Sequence, residues 1–374
     1  MNMDRKEILG EVGRVVVKVG TSSITMGGDT VSSEFMDSVA EQVRKLRDGG
    51  KEVLIVTSGA IGIGLKAMNA KPKPKEIPVR QAAASVGQSI LMQKWNDSFQ
   101  KQGIVVAQIL ITLNDYSDRE TILNLNNTID SLLSYNVVPI FNENDAICVK
   151  EIGPMFGDND TLSAVIASRA DADLLVILSD VDGLYTKNPS LHEDAAFIPT
   201  VTELTPEILE MAGDTMSSTG TGGMRTKLKA AAICKDAGCR MIIALSTEKD
   251  VLLRAATGED IGTVFVSDTH ISKKKRWMKA AHSMGTVVID DGAMKALTEH
   301  RSLLPVGVKE VTGQFSKGDV IDIVCKGEIV AKATPNYSSE EISRIRGMHS
   351  DRIRDVLGKC PYNDVALSEN IALM

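Results

Sequence analysis

The chain has 374 residues, 43% of them hydrophobic and 24% charged, with aromatics at only 4%. This is the composition of a folded protein with an aliphatic core and room for two or three domains, and it excludes a wholly disordered chain and a disulfide miniprotein. A formal net charge of −7 excludes a general polyanion binder, but residues 273–374 hold 16 Lys and Arg against 13 Asp and Glu, so the acid surplus lies earlier in the chain.

Val15, Val16 and Val17 open a β-branched run closed by Gly20 and Thr21, which predicts a buried strand. Phe35, Met36, Val39, Val43 and Leu46 recur at helical spacing before Gly49 and Gly50, and residues 53–56 form the next apolar run. Strand, helix, strand in this order predicts a parallel sheet. Lys71 to Lys75 alternates with Pro72 and Pro74 and predicts a basic loop. The alternation then continues, with helices over 86–99, 121–135, 159–169 and 226–237 and strands over 104–113, 137–141, 174–178 and 241–245. Lys273, Lys274, Lys275 and Arg276 read as a charged hinge. Beyond it, short strand-like runs at 286–289, 306–311, 320–325 and 329–333 predict a β-rich module. The expected division is an α/β body over 1–268, a charged linker over 269–279 and a small β-rich domain over 280–374.

Cys148, Cys234, Cys239, Cys325 and Cys360 are odd in number and contain no CxxC, which favours neither a disulfide framework nor a zinc ribbon. Residues 1–10 carry four charges and no apolar run, so no signal peptide is expected. No stretch approaches the ~18 apolar residues of a membrane span. A cytoplasmic protein without a membrane partner is expected.

Six short constellations sit where strands end or helices begin. Lys18 lies at the end of the first strand beside a Gly-Thr-Ser-Ser turn, where backbone N–H groups and an ammonium suit an anion. The run from Val56 to Gly64, VTSGAIGIG, has Ser58 and Gly59 followed by more glycines; Gly62 and Gly64 match a dinucleotide fingerprint only formally, and close packing explains them as well. Asn142, Glu143, Asn144 and Asp145 follow a buried strand, where open α/β sheets place ligands, although an Asx-turn loop would look the same. Asp158, Asn159 and Asp160 precede a helix; one can cap it, and three exceed what a cap needs. Ser179 and Asp180 again follow a strand. Gly220, Thr221, Gly222, Gly223, Met224, Arg225, Thr226 and Lys227 open a helix with glycines, hydroxyls and a lysine, as a phosphate site would.

In order, VVVKVGTSSI, VTSGAIGIG, PIFNENDAI, GDNDTLSA, LSDVDGLYTKNP and GTGGMRTKLKAA closely resemble the glutamate 5-kinase family of the amino acid kinase superfamily, over residues 12 to 270. The final segment resembles a PUA domain, a β-rich fold first known from RNA-modifying enzymes. The resemblance implies an amino acid kinase-type α/β sandwich with a mainly parallel central sheet, followed by the small PUA-like domain. It implies ATP-dependent phosphorylation of the γ-carboxylate of L-glutamate to γ-glutamyl phosphate, the first step of proline synthesis, with ATP and Mg²⁺. It further implies proline as a feedback inhibitor, hand-off of product to γ-glutamyl phosphate reductase, RNA as a partner of the PUA-like domain, and a homo-oligomer. Lys18 would contact ATP phosphates, while Ser58, Asp145 and Asn159 would hold glutamate. Ser179, Asp180 and Thr221 to Lys227 would line the nucleotide site, and Asp160 would organise Lys18 and Lys227. Two departures are visible: the stretch around Gly153, Pro154, Met155 and Phe156 is longer, and Arg225 stands where a small residue is expected.

A carboxylate is a nucleophile at neutral pH, so the reaction needs no general base, and none of the six motifs contains His. The difficulty is bringing an anion to a polyanion, which calls for positioning and positive charge from Lys18 and Lys227, with backbone N–H groups at the glycine turns. Mg²⁺ would bridge phosphates with few protein ligands. An acetylglutamate or aspartate kinase, or an RNA-binding regulator working through the C-terminal module, remains open on the residues alone; the Asn142 to Asp145 segment favours a free ammonium over an acetylated one.

Overall fold

A parallel strand whose neighbours lie on both sides must bury both faces, and the first strand is built for that, since Val15, Val16, Val17 and Val19 are all fully buried. The computed structural model describes residues 4–26, 30–70, 74, 76–112, 119–147, 159–211, 223–267, 278, 281, 283–299, 301–358 and 361–374. They divide into two compact units, Met1–Thr269 and His270–Met374.

The first unit begins α1 (Arg5–Leu9), β1 (Arg14–Val19), α2 (Thr21–Thr25), α3 (Ser33–Asp48), β2 (Glu52–Val56), α4 (Ala60–Ala67) and α5 (Ile77–Gln100). It continues β3 (Val106–Ile111), α6 (Arg119–Ser134), β4 (Val138–Glu143), α7 (Asn159–Arg169) and β5 (Leu174–Ser179). After the small hairpin of β6 (Leu184–Tyr185) and β7 (Phe197–Ile198) come β8 (Thr200–Val201), α8 (Pro206–Glu210), α9 (Met224–Asp236), β9 (Arg240–Leu245), α10 (Val251–Thr257) and β10 (Thr263–Phe265).

Among the described residues the central sheet has eight strands in the order β3-β4-β2-β1-β5-β9-β10-β8. Every pairing is parallel except β9 with β10. Because side chains alternate along a strand, Val15, Val17 and Val19 join α3, α5 and α10 in one core, while Val16, Leu54 and Ile177 join α7 and α9 in the other. The mainly parallel α/β sandwich expected from the sequence is therefore present.

Two elements depart from expectation. The glycine-rich stretch after Ser58 is helix α4, and the helix expected from 86 starts at Ile77, with Pro78 tolerated in its first turn. The two helices cross almost backbone to backbone. A Cβ on Gly64 would lie 1.7 Å from the Ala83 carbonyl oxygen, and one on Gly87 1.8 Å from that of Ala60. Gly64 thus serves close packing, between helices rather than helix and strand, and not a dinucleotide turn.

The second unit holds β11 (Gly285–Ile289), α11 (Asp291–Thr298), β12 (Val308–Gly313), β13 (Ile321–Cys325), β14 (Glu328–Ala333), α12 (Ser339–Ile345), α13 (Ile353–Leu357) and β15 (Ile371–Leu373). Its five-stranded sheet runs β12-β11-β13-β14-β15 around a core that includes Val287, Ile321, Ile323, Ala331 and Tyr337. The strand expected from 306 begins at Val308, because Pro305–Gly307 form a 3₁₀ turn. The 273–276 hinge lies outside the described residues.

Candidate active site

Strand register decides which motifs meet. Lys18 on β1 lies opposite Val56 of β2 on one side and Ile177 of β5 on the other. Val56 in turn lies opposite Phe141 of β4, and Ser179 opposite Leu245 of β9. Ser58, Asn142 and Asp145 therefore sit one and two strands to one side of Lys18, and Ser179 and Asp180 one strand to the other. All stand at the carboxyl edge of the sheet, where helices α2, α4, α7 and α9 also begin.

The centre of this edge is a charged triad. Asp160, in the first turn of α7, is fully buried. Its Oδ1 lies 2.5 Å from Lys18 Nζ and its Oδ2 lies 3.1 Å from Lys227 Nζ. Lys18 and Lys227 are themselves only 7% exposed. Burial acts to raise the Asp160 pKa, but the two ammonium groups and their hydrogen bonds overcome it and hold the carboxyl well below the usual carboxylate range. Asp160 is thus a fixed anion with a cation on each oxygen, and the triad keeps a net positive charge. The Thr226 hydroxyl, 2.9 Å from Asp160 Oδ2, adds a neutral partner. A Cβ on Gly20 would lie 3.2 Å from Lys18 Nζ, so the glycine leaves room for the ammonium.

The surrounding helix starts add to the positive field. Gly20, Gly59 and Gly223 are the N-cap residues of α2, α4 and α9, and none supplies a side-chain cap to the first N–H groups. Gly59 has φ +101°, a left-handed conformation that favours glycine.

On the β2–β4 side the edge is lined by amides. Asn159 Nδ2 donates to the Thr57 carbonyl at 2.7 Å, to Ser58 Oγ at 2.7 Å and to Asn142 Oδ1 at 3.1 Å. Trp95 Nε1 donates to Thr57 Oγ1 at 3.0 Å, fixing the strand end from beneath. Asp145 is half-buried in the turn after β4. On the β5 side Ser179 Oγ donates to Asp180 Oδ1 at 3.1 Å.

Lys18, Asp160 and Lys227 are thus brought into contact, as are Ser58 and Asn159, and Ser179 and Asp180 stand on the same edge. Met224 packs against the second core and Arg225 is exposed. Thr221, Gly222, Asp158 and the stretch around Gly153 lie outside the described residues. Sequence reasoning took Asn142 for part of a loop, whereas it is buried within β4. It missed Gln88, a polar residue among Ala84, Gly87, Leu91 and Trp95 on the buried face of α5; an amide at that helical spacing was the available signal.

The amino acid kinase family model matches residues 13–245, and the PUA domain model matches residues 285–357. The chain is 52% identical to the glutamate 5-kinase of Methanosarcina mazei, over 99% of this chain and 98% of that protein. It is 50% identical to that of Methanosarcina barkeri, over 99% of each. It is 41% identical to that of Caldanaerobacter subterraneus subsp. tengcongensis, over 96% of this chain and 98% of the relative.

Proposed function

The chain belongs to the amino acid kinase family, and from that membership we propose that it transfers the γ-phosphoryl group of ATP to the γ-carboxylate of L-glutamate, forming γ-glutamyl phosphate, the first step of proline synthesis. The observation that carries this reading is the buried Lys18–Asp160–Lys227 triad, seated between an amide-lined and a hydroxyl-lined half of one sheet edge. Glutamate 5-kinases at 41% to 52% identity over nearly the full chain support the choice of acceptor.

In this mechanism a γ-carboxylate oxygen attacks the γ-phosphorus in line with the bridging oxygen. The bond to that oxygen breaks and its electron pair leaves with ADP. No proton moves in the transfer, which suits an edge whose motifs hold no His. The barrier is electrostatic, and Lys18 and Lys227 neutralise the transferring group from two sides while Asp160 holds both ammonium groups in place. Backbone N–H groups at Gly20, Gly59 and Gly223 supply further donors. Ser58 and Asn159 hold the amino acid, and Asp145 pairs with its ammonium. Ser179, Asp180 and the start of α9 face the nucleotide. Mg²⁺ supplied with the nucleotide would offset the negative charge of the phosphates. Among the described residues no group of three or more His, Cys, Asp or Glu could hold a metal ion.

Trapping of acyl phosphate by hydroxylamine, with ATP, Mg²⁺ and a panel of amino acids, tests the reading. L-glutamate is expected to give the largest kcat/KM; a larger value for N-acetylglutamate or aspartate overturns it.

A further inference from the structure

Behind Asn159 the amides continue inward. Asn142 Nδ2 donates to Gln88 Oε1 at 2.8 Å, and Gln88 Nε2 donates to Gln108 Oε1 at 3.0 Å. With the bond from Asn159 to Asn142, four amides on α7, β4, α5 and β3 form one chain in which every nitrogen points the same way.

The direction is fixed by the backbone. The Glu143 N–H donates to Asn142 at 2.9 Å, and because it can only donate, the atom facing it is Oδ1. The Thr57 carbonyl can only accept, so the Asn159 atom 2.7 Å away is Nδ2. Asn142 Nδ2 must then face Gln88, and it is a buried donor on a residue only 2% exposed. Such a donor needs an acceptor, and Gln88 Oε1 provides it. On the planar Asn159 amide, the Oδ1 is directed away from the three partners of the nitrogen.

We infer that Gln88 is a positioning residue of the acceptor half of the site. Resting on the reading of Asn159 as an acceptor ligand, it holds Asn142 so that Asn159 keeps its nitrogen on Ser58 and its oxygen free for an N–H donor of the amino acid. Gln88 lies in none of the six motifs and touches no reacting atom. Gln108, at the far end, is exposed and can exchange its bond for water.

The test compares three variants of the full chain. Gln88→Leu keeps the volume and removes the acceptor; the KM for L-glutamate is expected to rise about tenfold, the worth of one buried hydrogen bond, with kcat and the KM for ATP within twofold. Gln88→Glu restores an oxygen to Asn142, with the exposed Gln108 amide turning to donate; it is expected to bring the glutamate KM back to within about threefold. Gln108→Ala is expected to stay within twofold throughout. A Gln88→Leu protein with lowered Tm and unchanged glutamate KM, or a Gln88→Glu protein as impaired as Gln88→Leu, overturns the inference. A crystal structure of Gln88→Leu reads the orientation independently of activity: Asn142 turned off Asn159 supports it and an unmoved pair overturns it. Wild-type protein that forms no acyl phosphate from L-glutamate defeats the functional reading instead, and leaves that structural comparison to decide the role of Gln88.

Discussion

The two edges of the central sheet bury charge in opposite ways. At the amino edge, Arg240 donates to the carbonyls of Ile8 at 3.2 Å and Asp173 at 3.4 Å, and Asp173 Oδ2 accepts from the N–H groups of Gly13 and Arg14 at 2.8 Å each. These partners are main-chain atoms that cannot leave without unfolding the strand ends. At the carboxyl edge, Asp160 is held by the side chains of Lys18, Lys227 and Thr226. A lysine can share its protons with an arriving phosphate and keep its carboxylate; a main-chain clamp has nothing to share. The backbone-held charge here serves the strand ends, and the charge held by side chains lies where a ligand can join the network.

The sharpest way to break this contrast is at Asp160. Asp160→Asn keeps size and hydrogen bonding but leaves two ammonium groups facing each other, and kcat is expected to fall roughly 10²-fold with the protein folded and ATP binding largely intact. Lys18→Ala and Lys227→Ala should match it, each with a milder effect on glutamate KM. Near-normal kcat with a slightly lower Tm would reduce Asp160 to a helix-start residue. At the neighbouring strand end, Asp145→Ala should raise the KM for glutamate at least tenfold, since a charge-assisted bond contributes about 1.5–3 kcal/mol. A change in the KM for ATP instead would mean the two halves of the edge are interchanged.

The amino edge should respond the other way. Arg240→Met takes the side-chain donor from the Ile8 carbonyl, while the Asp173 carbonyl keeps the main-chain N–H of residue 240 at 3.1 Å, and is expected to cost about 1–2 kcal/mol of stability, with kcat unchanged in the folded fraction. Denaturant unfolding alongside the acyl-phosphate assay separates the two effects, and a large loss of kcat would erase the distinction between the edges.

Acid sharpens it further. The folded pKa of Asp160 lies below its ordinary value of 3.8, so its ionised form stabilises the fold fully above that value and loses its contribution as pH falls toward the folded one. The Tm gap between wild type and Asp160→Asn is therefore expected to be constant from neutral pH down to 3.8 and to narrow below it. A gap that closes well above that point would mean the triad is not holding the carboxylate charged.

The smallest effect belongs to the glycines of α4. Gly62 has no atom within 4 Å of an added Cβ, so Gly62→Ala should stabilise by up to ~1 kcal/mol through helix propensity. Gly64→Ala, two residues on, should instead force α4 and α5 apart and lower Tm, as differential scanning calorimetry would show.

Much of this was legible in the chain. The uninterrupted apolar runs at Val15 and Val53 call for strands covered on both faces, and the interposed helical spacing calls for them to be parallel, so the sandwich follows from local patterns. The same patterns put Lys18 and Ser179 at strand ends and Ser58 and Asp145 just past them, and parallel strands bring all such ends to one edge. What the pattern could not supply was register and depth. That Lys18 and Lys227 meet on opposite oxygens of one buried carboxylate depends on which turn of α7 and α9 faces β1. That Gln88 belongs to the site at all depends on α5 crossing beneath β4, and that crossing exists because Gly64 and Gly87 let two backbones touch. Periodicity records which face of an element is buried; only packing between elements distant in sequence decides which atoms face one another across it.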